Sequence, residues 1–140
     1  MKIFISCSKD FYEEVGGIKS ALEGKGHIVT PPNGWNDPLS EELIKKSNAK
    51  AEYVSWKAAM LRKNSTFVEA SDAILVLNLD KRDKKGYIGG ATFLEMFKAF
   101  ELKKRIYVYN PVPEGSLRDE IEGFGPIVLS GNLDMIGEQA

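Results

Sequence analysis

The sequence has few of the residues that make disulfides and metal sites, and its charges nearly cancel. Its 140 residues include one cysteine, one histidine, 19 basic and 20 acidic side chains. A single cysteine, Cys7, cannot form an intramolecular disulfide, and no histidine or carboxylate near it has the spacing of a zinc site. A formal net charge of −1 offers no positive surface for duplex nucleic acid. We therefore expect a small-molecule ligand and neither a metal nor a cofactor.

Long apolar runs and a signal peptide are also missing from the sequence, which favours a cytoplasmic protein without membrane contact. A content of 43% hydrophobic and 28% charged residues suits a single domain over residues 1–140. Short apolar runs alternate with helical patterns, and they predict strands near residues 2–6, 27–31, 73–79, 105–109 and 126–129. The expected fold is α/β, a doubly wound, mainly parallel five-stranded sheet with helices on both faces, flavodoxin-like or Rossmann-like.

The most informative segment runs from Asp72 to Asn110. An apolar run, a charged loop, a glycine pair that opens a helical pattern and a second apolar run predict a parallel βαβ unit. Ligands of such sheets bind beyond the carboxyl ends of the strands, where Asn78 and Asp80 are expected. The pair Gly89-Gly90 either cradles an anion there or only lets the helix approach the sheet.

Glu95 lies about one turn inside the helix that Gly89-Gly90 opens, near this predicted pocket. The helical spacing predicts that one face packs on the sheet, formed by Phe93, Met96, Phe97 and Phe100. Glu95 then lies on another side of the helix. Its carboxylate is either a nucleophile or general base, or a structural acid paired with Lys98 three residues on.

The stretch from Ser40 to Ala70 is long for a connection within a small βαβ domain, and we interpret it as one or two helices. Tyr53 and Trp56 within it serve either packing or base stacking. It carries more apolar residues than one small sheet face needs, namely Leu43, Ile44, Val54, Trp56, Met60 and Leu61. This surplus predicts a homodimer or higher homo-oligomer that associates through the stretch.

Four segments carry a family resemblance. They are Lys2-Ile-Phe-Ile-Ser6, Ser71-Asp72-Ala73, Gly90-Ala-Thr-Phe-Leu-Glu95, and Lys103-Lys104-Arg-Ile-Tyr-Val. Together with the order of elements they resemble the nucleoside 2-deoxyribosyltransferase superfamily, which includes deoxynucleoside-monophosphate N-hydrolases. The resemblance implies an enzyme that cleaves the N-glycosidic bond of a nucleoside or nucleotide, either as a hydrolase or as a transferase.

The resemblance also implies roles for individual residues. Glu95 matches the glutamate that attacks the anomeric carbon of the sugar. Asp80 is the nearest match to an aspartate that handles the base and its proton, and a phenol such as Tyr87 is the other candidate donor. Ser6 and Ser8 match serines near a phosphate. The remaining ligand-binding candidates are Asn78, Gly89 and Gly90.

Two alternatives stay open. Where the family often has an acidic residue before the helix glycine, this sequence has Tyr87-Ile88-Gly89-Gly90, which favours a nucleotide-binding or sensing module without catalysis. The cationic loop Lys81 to Lys85 suits a phosphorylated ligand of such a module. The second alternative is a TIR-like domain that cleaves NAD, because Phe4-Ile-Ser6 followed by Asp10 and an amphipathic helix resembles the start of that fold.

Overall fold

The computed structural model describes residues 1–47 and 49–137, and a five-stranded parallel sheet forms its centre. The strands are β1 (Lys2–Ser6), β2 (Ile28–Thr30), β3 (Ala73–Val76), β4 (Arg105–Val108) and β5 (Ile127–Val128). Their order, β2-β1-β3-β4-β5, is that of flavodoxin-like folds, and every neighbouring pair is parallel. The predicted fold class is therefore confirmed.

Helices cover both faces of the sheet. They are α1 (Tyr12–Gly24), α2 (Ser40–Lys46), α3 (Lys50–Ala70), α4 (Gly90–Glu101) and α5 (Arg118–Gly123). Short 3-10 turns lie at Lys9–Phe11 and Leu133–Met135. The predicted stretch from Ser40 to Ala70 thus forms two helices. Among the described residues, no helix combines the length and apolar character needed to cross a bilayer.

The alternation of side chains along β1 separates the core into two layers. Ile3 and Ile5 belong to the layer that includes Val15 of α1, whereas Phe4 belongs to the layer that includes Val68 of α3. Successive residues of a strand point to opposite faces. Ser6 therefore lies on the same face as Phe4, under α3 and α4, and it is fully buried.

The face of α4 that packs on the sheet differs from the prediction. The buried residues of α4 are Thr92, Glu95, Met96 and Ala99. Of the predicted face only Met96 is buried, while Phe97 and Phe100 remain 45% and 47% exposed. The small side chains of Thr92 and Ala99 let the helix approach the sheet closely, and the phenylalanine rings contact Phe124 after α5 instead.

Candidate active site

A cavity of about 380 Å³ lies at the carboxyl edge of the sheet, where the sequence predicts a pocket. Its wall comes from the loops after β1, β2 and β3, from α2 and α3, and from the starts of α1 and α4. Glu95 lines it together with Ser8, Tyr87, Gly89 and Gly90, so the structure brings five of the predicted site residues together.

Both oxygens of the Glu95 carboxyl group have a hydrogen-bond donor. The residue is only 7% exposed. Ser6, the last residue of β1, donates from Oγ to Oε1 over 2.6 Å, and Asn64 of α3 donates from Nδ2 to Oε2 over 3.2 Å. The alternative pairing with Lys98 is wrong, because Lys98 forms an ion pair with Glu69 at 3.3 Å. The two donors fix the carboxyl group from the sheet and from α3.

The surroundings of Glu95 change its acidity. Burial raises the pKa of its carboxyl group to about 7, against the opposing effects of the Ser6 and Asn64 hydrogen bonds and the charge of Lys57. Since desolvation outweighs these effects, the group changes charge near neutral pH. A carboxyl group in this state can act as a nucleophile or as an acid or base.

Asn64 is the partner of Glu95 that the sequence reasoning missed. Its Oδ1 accepts the backbone N–H of Asn33 over 3.3 Å, which leaves its Nδ2 to donate to Glu95. The available signal was its helical spacing, because Asn64 lies four residues before Val68, the one residue of α3 that is fully buried among those described. A polar residue on the buried stripe of a helix indicates a partner inside.

Three aromatic side chains line the cavity, namely Tyr12, Trp56 and Tyr87. Burial, and then the nearby Cys7 and carboxylates, raise the pKa of Tyr12 to about 12, so its hydroxyl stays protonated. Gly34 makes room for this hydroxyl, since a Cβ at position 34 would come within 2.9 Å of the Tyr12 Oη. Flat rings of this kind can stack on a nucleobase.

Trp56 also stacks on Tyr53, with ring centroids 6.0 Å apart. It therefore packs against a neighbouring ring and lines the cavity as well. On another part of the wall, the Lys81 ammonium group lies 4.5 Å from the centroid of the Tyr87 ring. The same ammonium group pairs with Asp10 at 2.8 Å. This pair lowers the pKa of Asp10 and raises that of Lys81, so both groups stay charged and their charges balance.

Three lysines converge on a single glutamate at the mouth of the cavity. Their Nζ atoms lie 3.6, 3.4 and 3.9 Å from Glu41 for Lys9, Lys45 and Lys57 respectively. Burial tends to raise the pKa of Glu41, but the three positive charges outweigh it and lower that pKa. Asp37 lines the cavity beside them, so three positive charges against two negative charges leave a local excess of one. This excess favours an anionic group of a ligand.

Of the glycine pair, Gly89 is needed for space and not for its backbone conformation. Gly89 precedes the first turn of α4 with φ −84°, which any residue can adopt. A Cβ there would lie 3.3 Å from the Tyr87 Oη, whereas a Cβ at Gly90 would meet nothing within 4 Å. The glycine at 89 thus lets the Tyr87 hydroxyl approach the start of the helix.

Several predicted residues have other positions or partners. The hydroxyl of Ser6 donates to Glu95, and that of Ser8 donates to Asp10 over 2.9 Å. Asn78 is buried, and its side chain bonds the backbone of Asn110, joining the chain beyond β3 to the chain beyond β4. Asp80 accepts the Gly86 N–H over 3.0 Å. Neither Asn78 nor Asp80 is among the described residues that line the cavity.

Cys7 lies on the cavity wall as a protonated thiol. Burial first, and then the charge of Glu95, raise its pKa to about 12. Because the thiolate is the reactive form of cysteine, this thiol is unreactive near neutral pH. Within residues 1–47 and 49–137, no three histidine, cysteine or acidic side chains come together as metal ligands would.

Comparison of the chain with protein-family models and with curated proteins found no match in either case. The site combines a buried carboxyl group held at both oxygens, three aromatic side chains and a cationic mouth.

Proposed function

We propose that this protein cleaves the N-glycosidic bond of a nucleoside or nucleotide, with Glu95 as the nucleophile. The observation that carries the proposal is the state of the Glu95 carboxyl group. It is buried at a cavity of about 380 Å³, it receives Ser6 and Asn64 as donors, and its pKa is about 7. A cavity of this size lies within the range of small-ligand sites.

The chemistry follows from what the bond needs. Glycosidic cleavage passes through an oxocarbenium-like transition state, which a carboxylate on one face of the sugar stabilises. A Glu95 oxygen bonds to the anomeric carbon while the bond from carbon to base nitrogen breaks and its electron pair goes to the base. Water then hydrolyses the glycosyl ester, or a second base takes the sugar. With a pKa of about 7, a useful fraction of Glu95 is ionised at neutral pH.

The leaving base needs a proton. Tyr87 lines the cavity and its hydroxyl lies near the start of α4, which makes it the better candidate donor. Asp80 accepts the Gly86 N–H and forms an ion pair with Lys85 at 3.2 Å, and it is not among the described residues that line the cavity. The rings of Tyr12 and Trp56 supply flat surfaces on which the base can stack.

A direct assay tests the proposal. The purified protein is incubated with nucleosides, deoxynucleoside monophosphates and NAD, with and without a second free base, and released base is followed by chromatography. The proposal expects base release by the wild type and a loss of roughly a thousandfold in the Glu95→Gln variant, because the amide cannot form the glycosyl ester. The matched change Glu52→Gln, at an exposed position of α3, serves as the control.

The acceptor dependence separates a hydrolase from a transferase. Base release that needs no second base indicates hydrolysis, whereas release only with a second base indicates transfer. Release of nicotinamide from NAD alone favours the TIR-like alternative. Wild-type activity in Glu95→Gln contradicts the nucleophile assignment.

A binding module without catalysis is the second candidate, and the cationic mouth around Glu41 favours it. Lys9, Lys45 and Lys57 supply an excess of positive charge where a phosphorylated ligand would enter. Calorimetry with a nucleoside monophosphate distinguishes the candidates: binding without release of base by the wild type supports the module.

A further inference from the structure

The carboxylate of Glu41 lies among four donors at the mouth of the cavity. Besides the three lysines, the hydroxyl of Tyr53 donates to its Oε1 over 3.3 Å. Lys45 and Lys57 approach the same oxygen, whereas Lys9 approaches Oε2. The side chain of Glu41 is only 18% exposed. The mouth therefore contains an anion site, and a carboxylate of the protein itself occupies it.

The sequence of α2 and α3 brings these groups together. Glu41 and Lys45 are four residues apart on α2, and Tyr53 and Lys57 are four residues apart on α3, so each pair lies on one side of its helix. Lys9 comes from the short 3-10 turn after β1. Three separate segments of the chain thus meet at one carboxylate.

The stretch from Ser40 to Ala70, which supplies both helices, is the one that the sequence predicts to associate with a second copy. That association stays a prediction. Three of the apolar residues on which it rests, Trp56, Met60 and Leu61, line the cavity instead. Part of the apolar surplus of this stretch therefore belongs to the ligand site.

The charges of the described residues that line the cavity cancel when Glu95 is ionised. Asp10 and Lys81 pair with each other at 2.8 Å. The three lysines exceed Glu41 and Asp37 by one positive charge, and the carboxylate of Glu95 balances it. A wall without net charge cannot offset the desolvation of a doubly charged group.

The lysines at Glu41 can still reach a ligand. The side chains of Lys9, Lys45 and Lys57 are 36%, 52% and 39% exposed, and all three line the cavity. Ammonium groups donate readily to phosphate oxygens. A phosphate that contacts these lysines from the cavity then lies close to the carboxylate of Glu41.

We infer that Glu41 determines the charge of the ligand that the cavity accepts, favouring a nucleoside or a phosphodiester over a phosphate monoester. The inference rests on the proposed nucleoside or nucleotide ligand. A phosphodiester carries one negative charge, whereas a monoester carries about 1.5–2 at neutral pH. Since like charges repel, the penalty that Glu41 imposes grows with the charge of the phosphate and is absent for a nucleoside.

Calorimetry at pH 8 with ligands that cannot be cleaved tests the inference. The ligands are carbocyclic adenosine and carbocyclic cytidine, in which a methylene group replaces the ring oxygen, their 5′-monophosphates, and the methyl esters of those phosphates. Without the ring oxygen no oxocarbenium ion forms, so binding is measured without chemistry. The wild type is expected to bind the methyl ester at least as tightly as the monophosphate.

Glu41→Gln removes the penalty. It should raise the affinity for the methyl ester by about tenfold and that for the monophosphate by about a hundredfold, and leave the affinity for the nucleoside within about twofold. Circular dichroism checks that the variant is folded. A loosened α2 would change all three affinities together, whereas the inference concerns their ratios.

Glu42→Gln is the matched control. It removes the same charge from the next residue of α2, which is exposed and is not among the described residues that line the cavity. It should change each affinity by less than about twofold, because an exposed charge is screened. Lys9→Gln is the converse variant, and it should weaken binding of the monophosphate more than binding of the methyl ester.

Three results overturn the inference. They are a ratio of monophosphate to methyl ester affinity that Glu41→Gln leaves unchanged or that Glu42→Gln changes equally, a wild type that prefers the monophosphate by about tenfold or more, and a lack of binding by both proteins. Base release from natural nucleosides judges the proposed cleavage separately. Binding graded by charge without any base release contradicts the cleavage and supports the role of Glu41.

Discussion

The hydroxyl of Ser6 donates a 2.6 Å hydrogen bond to Oε1 of Glu95, a residue 89 positions further along the chain. Ser6 ends β1 on the face of the sheet that α4 covers, so the strand itself aims the hydroxyl at the helix. Both residues are buried, and the bond is shorter than that of most hydroxyl donors. A short bond to a carboxyl group is typical of a charged acceptor.

The first prediction concerns the acidity that Ser6 confers on Glu95. Its hydrogen bond lowers the pKa of the carboxyl group, so Ser6→Ala should raise that pKa above about 7. Hydrogen bonds to charged groups contribute about 1.5–3 kcal/mol, which corresponds to a shift of about one to two pH units. The pH profile of kcat/KM for base release, measured between pH 5 and 9, should move to higher pH by this amount.

A matched variant separates this effect from general loss of stability. Ser71 is also buried, but it donates to the backbone of Phe67, away from Glu95. Ser71→Ala should leave the midpoint of the profile where the wild type has it. A Ser6→Ala profile with an unmoved midpoint would show that the hydroxyl does not set the acidity of Glu95.

The second prediction concerns the stability cost of Glu95. Its pKa is about 7 in the folded protein, compared with 4.5 for an ordinary glutamate, which applies to the unfolded chain. Between these values the folded state keeps a proton that the unfolded state has lost. The free energy of unfolding contributed by this group therefore falls as pH rises from 4.5 to 7, and it levels off above.

Glu95→Gln removes this titration. The variant should gain up to about 3 kcal/mol of stability relative to the wild type above pH 7, and little of this gain should remain at pH 4.5. Urea unfolding of both proteins at pH 4.5, 6 and 8 measures the difference, with Glu52→Gln as the exposed control. A difference that does not change with pH would mean that the Glu95 carboxyl group is not perturbed by burial.

The sheet and the place of the cavity were predictable from the sequence, for a physical reason. Branched apolar runs separated by helical patterns determine a parallel sheet, and the pocket of such a sheet lies at its carboxyl edge. The predicted strand at 73–79 was too long, because the β3 ladder ends at Val76 and the side chain of Asn78 then binds the backbone of Asn110.

The partners of Glu95 were harder to predict. The rotation of α4 about its axis depends on which of its residues can approach the sheet closely. The small side chains of Thr92 and Ala99 do so, whereas the large ring of Phe97 stays at the surface. Asn64 reaches Glu95 from a helix 31 positions earlier in the chain. The helical spacing of Asn64 indicates that it faces the core, but it does not identify the residue of another helix that it contacts.

The last prediction assigns the proton donor for the leaving base. Tyr87 lines the cavity, whereas Asp80 holds the Gly86 N–H in the loop after β3. General acid catalysis contributes about a hundredfold to ten-thousandfold. Tyr87→Phe should therefore lower kcat for base release by about a hundredfold or more, and Asp80→Asn by less than about threefold.

A substrate that needs no proton distinguishes a donor from a packing residue. A nucleoside whose base already carries a positive charge leaves without protonation, so Tyr87→Phe should cleave it almost as fast as the wild type does. If the ring of Tyr87 merely supports the start of α4 next to Gly89, the variant should be slow on both substrates. The role of donor would belong to Asp80 if Asp80→Asn lost most of its kcat for base release and regained it on the charged substrate. Tyr87→Phe would then be as active as the wild type.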